Sequence, residues 1–285
     1  MAHTPFADEM LARTIAQDSV DALQWVEAAQ RLPGLDPAAI EVAGGHALVV
    51  APGSPLNGVE GLGFGDDPFT PDDLLRIEKL FAAHDEPVNI SVCPLGDLSV
   101  PLVLGENGYA PIDFENVLYL NLDEVGPEDG APSCAPEDLR APDPRVSTHV
   151  TDPSELKQWA AVVARGFATG GMPTPVEHQT ADLLANRGDA THVLGMFDDD
   201  PAGTGRLAMR KRIAYLNSDS TLPQFRGRGI QSAVLRSRIW IAKAADCDVA
   251  IIEATPGSKS QRNMERQGFR VAWTTAIYGK LCVME

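Results

Sequence analysis

The stretch that most constrains this chain is Gln224, Phe225, Arg226, Gly227, Arg228 and Gly229. An extended run, residues 213–222, precedes it, and a helical stretch follows to about Ala245. Two glycines two apart at a strand-to-helix switch let the backbone approach a ligand and turn its N–H groups outward. The helix behind them adds the positive end of its dipole, which suits phosphate. Arg226 and Arg228 add full charges. From Arg206 to Lys243 there are nine Lys or Arg and one acid, Asp219, in a chain of net charge −17. A positive island in an acidic protein points to a polyanionic small ligand. Taken alone, the two glycines also fit a surface turn with solvated arginines, so context has to decide.

The downstream order supplies that context. Residues 249–255 read as a buried strand. Residues 258–267 read as a helix, with Ser258 and Gln261 as a capping box. Gly268 and Phe269 then lead into a final strand. Residues 221–229 resemble the pyrophosphate loop of the GNAT N-acetyltransferase superfamily: Gln or Arg, two residues, Gly, one residue, Gly or Ala. Gln224, Gly227 and Gly229 fit that pattern, with Pro223 and Arg226 as common accompaniments. The order of elements is similar to the second half of the GNAT fold over about residues 191–280. The resemblance implies acetyl-CoA or another acyl-CoA as cosubstrate. It implies a pyrophosphate site built by Leu222, Gln224, Phe225, Arg226, Gly227, Arg228, Gly229 and Ile230.

Length and composition bound the rest. The 285 residues allow one large domain or two of ordinary size. Cys93, Cys134, Cys247 and Cys282 have no metal-like spacing and read as free thiols in a reducing compartment. The histidines, His46, His178 and His192 among them, form no ligand pattern, so no metal is expected. The N-terminus lacks a basic region followed by an apolar run, and no stretch approaches membrane-spanning length. The expectation is a cytoplasmic protein with no membrane partner, monomeric or homodimeric. The net charge of −17 argues against nucleic-acid binding.

Read in order, residues 10–32 give two helices broken near Asp18 and Ser19. Residues 39–52 give two strands around Gly44 and Gly45. Residues 59–64 form another strand. Thr70, Pro71 and Asp73 start a helix whose core face is Leu74, Ile77, Leu80 and Phe81. A strand at 88–93, a helix near 97–106, then Gly108 and Tyr109 lead to a long strand, 112–122. Gly108 and Tyr109 mirror Gly268 and Phe269, which reads as a degenerate copy of the same fold. That copy carries Gly61 to Gly65 and then Asp66, Asp67, Asp72 and Asp73 where the phosphate loop belongs. Four carboxylates there would repel a pyrophosphate. Residues 124–145 read as a linker. A strand near 146–150, two helices (starting at Asp152 and Thr174) and a hairpin over 192–211 complete the second half. Gly170 to Pro173 connect those helices, which in GNAT proteins shape the acceptor site. The expected fold class is therefore α+β, an α/β three-layer arrangement of two tandem GNAT-like domains. Each is a mixed, mostly antiparallel twisted sheet flanked by helices. The expected domains are 1–123, without a cofactor loop, and 146–285, the acetyltransferase domain.

Acyl transfer to an amine needs a neutral amine, a donor for the thioester oxygen and a way to release the thiolate. The resemblance places the donor, a backbone N–H, within residues 217–222. Candidate bases nearby are Asp219 and Tyr215, with Glu253 on the next strand. Each also has a structural reading: Tyr215 in packing, Asp219 at the strand end, Glu253 in an ion pair. The family's usual acid is a tyrosine four residues before the Gly of Gly-Phe, where this chain has Met264. Ser260, Asn263 or Tyr278 are substitutes, and Ser260 and Asn263 equally suit the pantetheine arm or a polar surface. The expected reaction moves acetyl from acetyl-CoA to a primary amine of a small molecule. The alternative is an acyl-CoA-binding protein without turnover.

Overall fold

The computed structural model describes residues 9–18, 22–126, 143–168 and 171–280. Ser19, Cys134, Gly170, Cys282 and most of the expected linker lie outside the described residues. The chain forms two compact units, one of Phe6–Asn116 with Ala272–Glu285 and one built on Val117–Val271.

The N-terminal unit runs α1 (Glu9–Asp18), α2 (Ala22–Gln30), β1 (Ala38–Val42), β2 (Gly45–Val49), β3 (Gly58–Glu60), α3 (Pro71–Ala83), β4 (Asn89–Val92), α4 (Ser99–Glu106) and the first part of β5 (Tyr109–Asn121). The β1–β2 hairpin turns on Ala43 and Gly44, both at positive φ, one residue earlier than the sequence suggests. At the start of α3, Thr70 Oγ1 accepts the Asp73 amide at 3.2 Å, and Asp73 returns a carboxylate oxygen to the Thr70 amide at 3.1 Å. Pro71 fits the first turn because its missing N–H would have no helical partner there. Leu74, Ile77 and Phe81 then fall on one face and are buried. They join Val59, Ile90, Leu104 and Tyr109 in a single core. β3 and β4 are parallel, with Val59 opposite Ile90.

The C-terminal unit contains β6 (Val146–Val150), α5 (Leu156–Phe167), α6 (Pro175–Ala185), β7 (Ala190–Phe197), β8 (Asp200–Arg210), β9 (Ile213–Thr221), α7 (Ile230–Ala244), β10 (Val249–Ala254), α8 (Lys259–Arg266) and the start of β11 (Arg270–Lys280). Its strand order is β5-β10-β9-β8-β7-β6. β6 to β9 are antiparallel neighbours, and β9 and β10 are parallel. α5 and α7 cover opposite faces. Ser220 bonds the Val162 carbonyl of α5, while its neighbour Asp219 pairs with Arg238 of α7. Ser258 caps α8 by accepting the Gln261 amide at 3.1 Å. The return arm of the expected capping box lands one residue early: Gln261 Oε1 takes the Gly257 amide at 2.6 Å.

The last strands do not follow the division 1–123 and 146–285. β5 and β11, 13 and 11 residues long, are each shared between the two units. Val117 onward lies with β10, and Leu122 donates to the Asp248 carbonyl at 2.9 Å. Ala272 onward lies with β4, in antiparallel register from Ala276↔Val92 to Gly279↔Asn89. Each half thus completes its sheet with the other half's final strand. Tyr278 consequently packs on the N-terminal core.

Candidate active site

The C-terminal sheet opens between β9 and β10. Their parallel pairing runs from Ile213↔Val249 to Leu216↔Ile252. β9 continues to Thr221 and β10 to Ala254. Among the described residues, the ladder stops where both strands still extend. Backbone N–H and C=O groups are obligatory bonding groups, so the edge of β9 past Leu216 is suited to a ligand.

A bulge shapes that edge. Arg206 lies opposite Asn217 and Thr204 opposite Ser220, so β9 carries one extra residue, and Ser218 sits at φ 56°. Two side chains hold the bulge carbonyls. Thr204 Oγ1 donates to Ser218 O at 3.0 Å, and Arg238 Nη1 donates to Asn217 O at 3.1 Å. Arg238 also reaches the Arg206 carbonyl at 3.0 Å and pairs through Nη2 with Asp219.

The loop follows directly. Leu222 is 3% exposed, donates to Ala202 O and accepts from the Phe225 amide. Its side chain therefore belongs to the core rather than to a cofactor surface. Phe225 tilts against Phe197 with ring centroids 5.5 Å apart, and Arg228 lies over the Phe197 ring, 4.6 Å from its centroid. Arg226 bonds Thr221 O at 3.2 Å and Gly166 O at 3.3 Å. Gln224, Arg226, Gly227 and Arg228 are exposed. Gly227 (φ 77°) has nothing within 4 Å of where a Cβ would stand. Gly229, left-handed at φ 87°, opens α7 with no side-chain cap. The first amides of α7 are thus left for a ligand. Ile230 is 1% exposed and packs in the core with Val193 and Val234, so only its backbone faces the loop.

Downstream, Asn263 donates to Gln231 Oε1 at 2.9 Å and ties α8 to the first turn of α7. Lys259, Arg262, Asn263 and Arg266 line an open groove along α8. These cations lie outside the loop motif, and their sequence signal is that positions 259, 262 and 266 share one helical face. Ser260 is half-buried on the same helix. Met264, at the expected acid position, is 1% exposed and packs with Phe269 and Leu235.

The four acid–base candidates separate. Asp219 is engaged: Oδ1 takes the Arg238 guanidinium, and Oδ2 is buried with no hydrogen-bond partner among the described residues. Tyr278 falls in the other compact unit through the strand exchange. Tyr215 lies inside the paired part of β9 and is half-buried. Glu253 is exposed and is the first β10 residue past the end of the pairing. The basic island is also smaller than its composition. Arg206 and Arg210 pair with Asp189, Arg212 with Asp248 and Arg238 with Asp219. Arg206 is 2% exposed, and burial first, then the nearby Arg187, pulls its pKa down to about 10. Arg226 and Arg228 remain at the loop.

The helix pair beside the site is fixed to β7. Trp159 of α5 donates its indole N–H to Val193 O at 3.2 Å. His192 Nε2 lies 3.0 Å from the Leu184 carbonyl of α6, so that nitrogen carries the proton. Among the described residues, no group of three or more His, Cys, Asp or Glu is placed to hold a metal. No helix there is long and apolar enough to cross a membrane.

Comparison with solved structures settles the fold. A GCN5-related N-acetyltransferase from Kribbella flavida superimposes with a TM-score of 0.62 at 18% identity, over 94% of this chain and 96% of its own. A tandem GNAT protein from the clavulanic acid biosynthesis pathway gives 0.60 at 13% identity, over 96% and 95%. A GCN5-related N-acetyltransferase from Sphaerobacter thermophilus gives 0.54 at 15% identity, over 98% and 94%. The fold is the tandem GNAT fold. No family model and no curated protein sequence matches the chain.

Within this tandem GNAT fold, β3, α3 and β4 stand in the N-terminal unit as β9, α7 and β10 stand in the C-terminal one. Their loops differ. Arg13 of α1 donates to Phe64 O at 2.7 Å, and Asp97 donates its amide to Gly63 O at 2.9 Å. A Cβ on Gly61 would lie 3.1 Å from the Ala16 carbonyl. The N-terminal loop is therefore filled by its own chain. The start of α3 is capped by Thr70 and Asp73, whereas α7 is uncapped.

Proposed function

We propose that the C-terminal unit is an acyl-CoA-dependent N-acyltransferase that moves acetyl from acetyl-CoA to a primary amine of a small molecule. The observation that carries this is the opening between β9 and β10, followed at once by an exposed loop and the uncapped start of α7. The residues present fit CoA. Gly227 leaves room for a phosphate against backbone, the amides of α7 and the charges of Arg226 and Arg228 favour it, and the α8 groove adds Lys259, Arg262 and Arg266. Bound acetyl-CoA supplies an activated acyl group and a thiolate leaving group. The exposed edge of β9 beyond Leu216 offers backbone donors for the thioester oxygen. We assign the base to Glu253, which is exposed and is the first β10 residue past the end of the pairing; it would take a proton from the amine, directly or through water. Mixing the protein with acetyl-CoA and a panel of primary amines, with thiol release followed by colour reaction, tests the reading. Thiol release that depends on an amine supports it, and CoA binding without release points to the second reading.

That second reading is a CoA-binding protein without turnover. Met264 favours it, since a buried thioether at the expected acid position donates no proton. In either reading the net charge of −17 speaks against nucleic acid as a partner.

A further inference from the structure

Arg238 is a buried cation of the C-terminal unit that the proposed reaction does not use. It is 0% exposed, on the apolar stripe of α7 formed by Ile230, Val234, Leu235 and Ile239. A charged residue in that stripe needs complete compensation, because an uncompensated buried charge costs about 3–5 kcal/mol. Compensation comes from a constellation that converges on the β9 bulge. Nη1 bonds the carbonyls of Arg206 and Asn217, Nε bonds Val234 O at 3.3 Å, and Nη2 pairs with Asp219. The strand facing it has been emptied to admit it: a Cβ on Gly205 would stand 2.5 Å from Arg238 Cζ. A glycine inside a strand marks such a close approach.

We infer that Arg238 is a positioning residue for the acyl group: with Asp219 and Gly205 it fixes the β9 bulge, and so the backbone edge that receives the thioester carbonyl. The logic is geometric. Asn217 and Asp219 flank Ser218, the residue held at positive φ. Arg238 grips the bulge on both sides of that residue, through the Asn217 carbonyl and the Asp219 carboxylate. Thr204 holds the carbonyl between them. The carbonyls of the bulge are thereby turned toward β8 and α7. With those carbonyls held, the backbone of β9 beyond the end of its pairing with β10 has a fixed course. Donors aimed in advance at a developing charge stabilise it without reorganisation, and small displacements are expensive in rate.

This inference rests on the acyl-CoA reading, and the test separates the two. Titration calorimetry with CoA and with acetyl-CoA would be run on the wild type, Arg238→Lys and Gly205→Ala. Arg238→Lys keeps the charge but cannot make the forked contacts. Gly205→Ala leaves Arg238 present and displaces it. Fold is checked by circular dichroism at a temperature well below each variant's transition. The expected result is that CoA affinity stays within about twofold in both variants, because the loop is untouched. The preference for acetyl-CoA over CoA falls toward unity, and kcat drops by about tenfold to hundredfold with little change in KM for acetyl-CoA. Folded variants that keep both the acetyl preference and kcat would show Arg238 to be a packing device, and the inference would be wrong. A wild type that binds neither ligand would instead remove the acyl-CoA reading on which the inference stands. An Asp219→Asn variant adds a second readout. A positioning role leaves the acid limb of the pH–rate profile in place at lower kcat, whereas loss of that limb would make Asp219 the base and overturn the assignment.

Discussion

Arg226 donates its guanidinium to the carbonyl of Gly166 at 3.3 Å, tying the glycine loop to the end of α5. Gly166 is itself pressed against β9, where a Cβ would come within 2.5 Å of Ser220 Cβ. The loop, the helix end and the strand edge are therefore mechanically joined. Arg226→Ala removes both this tether and a charge at the phosphate site. CoA affinity should fall about tenfold or more, the scale of one charge-assisted hydrogen bond. Calorimetric titration measures it, and unchanged affinity would exclude Arg226 from the site.

Gly227→Glu is a sharper probe of the same loop. The position is exposed, at φ 77°, with open space around it. The strain of placing a side chain there is roughly 1–2 kcal/mol, too little to unfold a domain. The new carboxylate would meet the phosphates directly. CoA binding should be abolished while circular dichroism and the unfolding temperature stay close to wild type. Binding that survives would remove the basis of the functional reading.

Stoichiometry is the third expectation. The N-terminal loop is closed by Arg13, Ala16 and Asp97, and its helix start is capped by Thr70 and Asp73. One CoA should bind per chain. A second CoA of comparable affinity would show that the packed loop opens.

Much of this architecture is legible in the sequence, and the reasons differ by element. Thr70 with Asp73 and Thr174 with Glu177 announce helix starts because both partners of each cap are local. The glycines at 227 and 229 announce a backbone that only glycine adopts easily. The exchange of final strands has no such signal. Nothing local to β5 or β11 states which strand each will join. Arg238 falls within the positive window of residues 206–243, and charge summed over a window ignores direction. The signal was present in the spacing, since Arg238 falls four residues after Val234, on the stripe of Ile230, Leu235 and Ile239. Gly205, in mid-strand, was the matching mark on the facing element.

His192 makes stability depend on pH. It is 5% exposed and stacked edge-on to Trp159 at 4.6 Å. Burial holds its pKa below the ordinary 6.5, with nearby Arg206 acting in the same direction and the Leu184 carbonyl and Asp189 opposing. The folded state therefore binds its proton less readily than the unfolded chain. Its contribution to stability is complete above pH 6.5 and is lost as pH falls through the lower folded value. The slope from one such group is at most about 1.4 kcal/mol per pH unit. His192→Gln, which can still donate to Leu184 O, should flatten the urea-denaturation midpoint just below pH 6.5. An unchanged slope in a folded variant would assign the acid sensitivity elsewhere.

The strand exchange sets the last expectation. Leu118, Leu120 and Leu122 precede the expected linker and Val125 stands at its start, yet all four are 0–2% exposed in the core with Leu235, Ile239 and Phe269. A fragment cut at the linker, 140–285, lacks all four. Each buried aliphatic contributes about 1.5–3 kcal/mol, so their loss removes roughly 6–12 kcal/mol. That is comparable to the whole stability of an ordinary domain, about 5–15 kcal/mol. The same fragment also carries residues 272–280 of β11 away from β4. It leaves the edge of β10 uncovered, and an exposed apolar strand edge invites aggregation. Fragment 140–285 should therefore be insoluble or unable to unfold cooperatively. Fragment 117–271, which keeps the whole compact unit, should be soluble and bind CoA through its own loop. Size-exclusion chromatography and calorimetry of the two pieces make the comparison. If 140–285 were monomeric and bound CoA as the full chain does, the exchanged strand would not be needed to complete the C-terminal core.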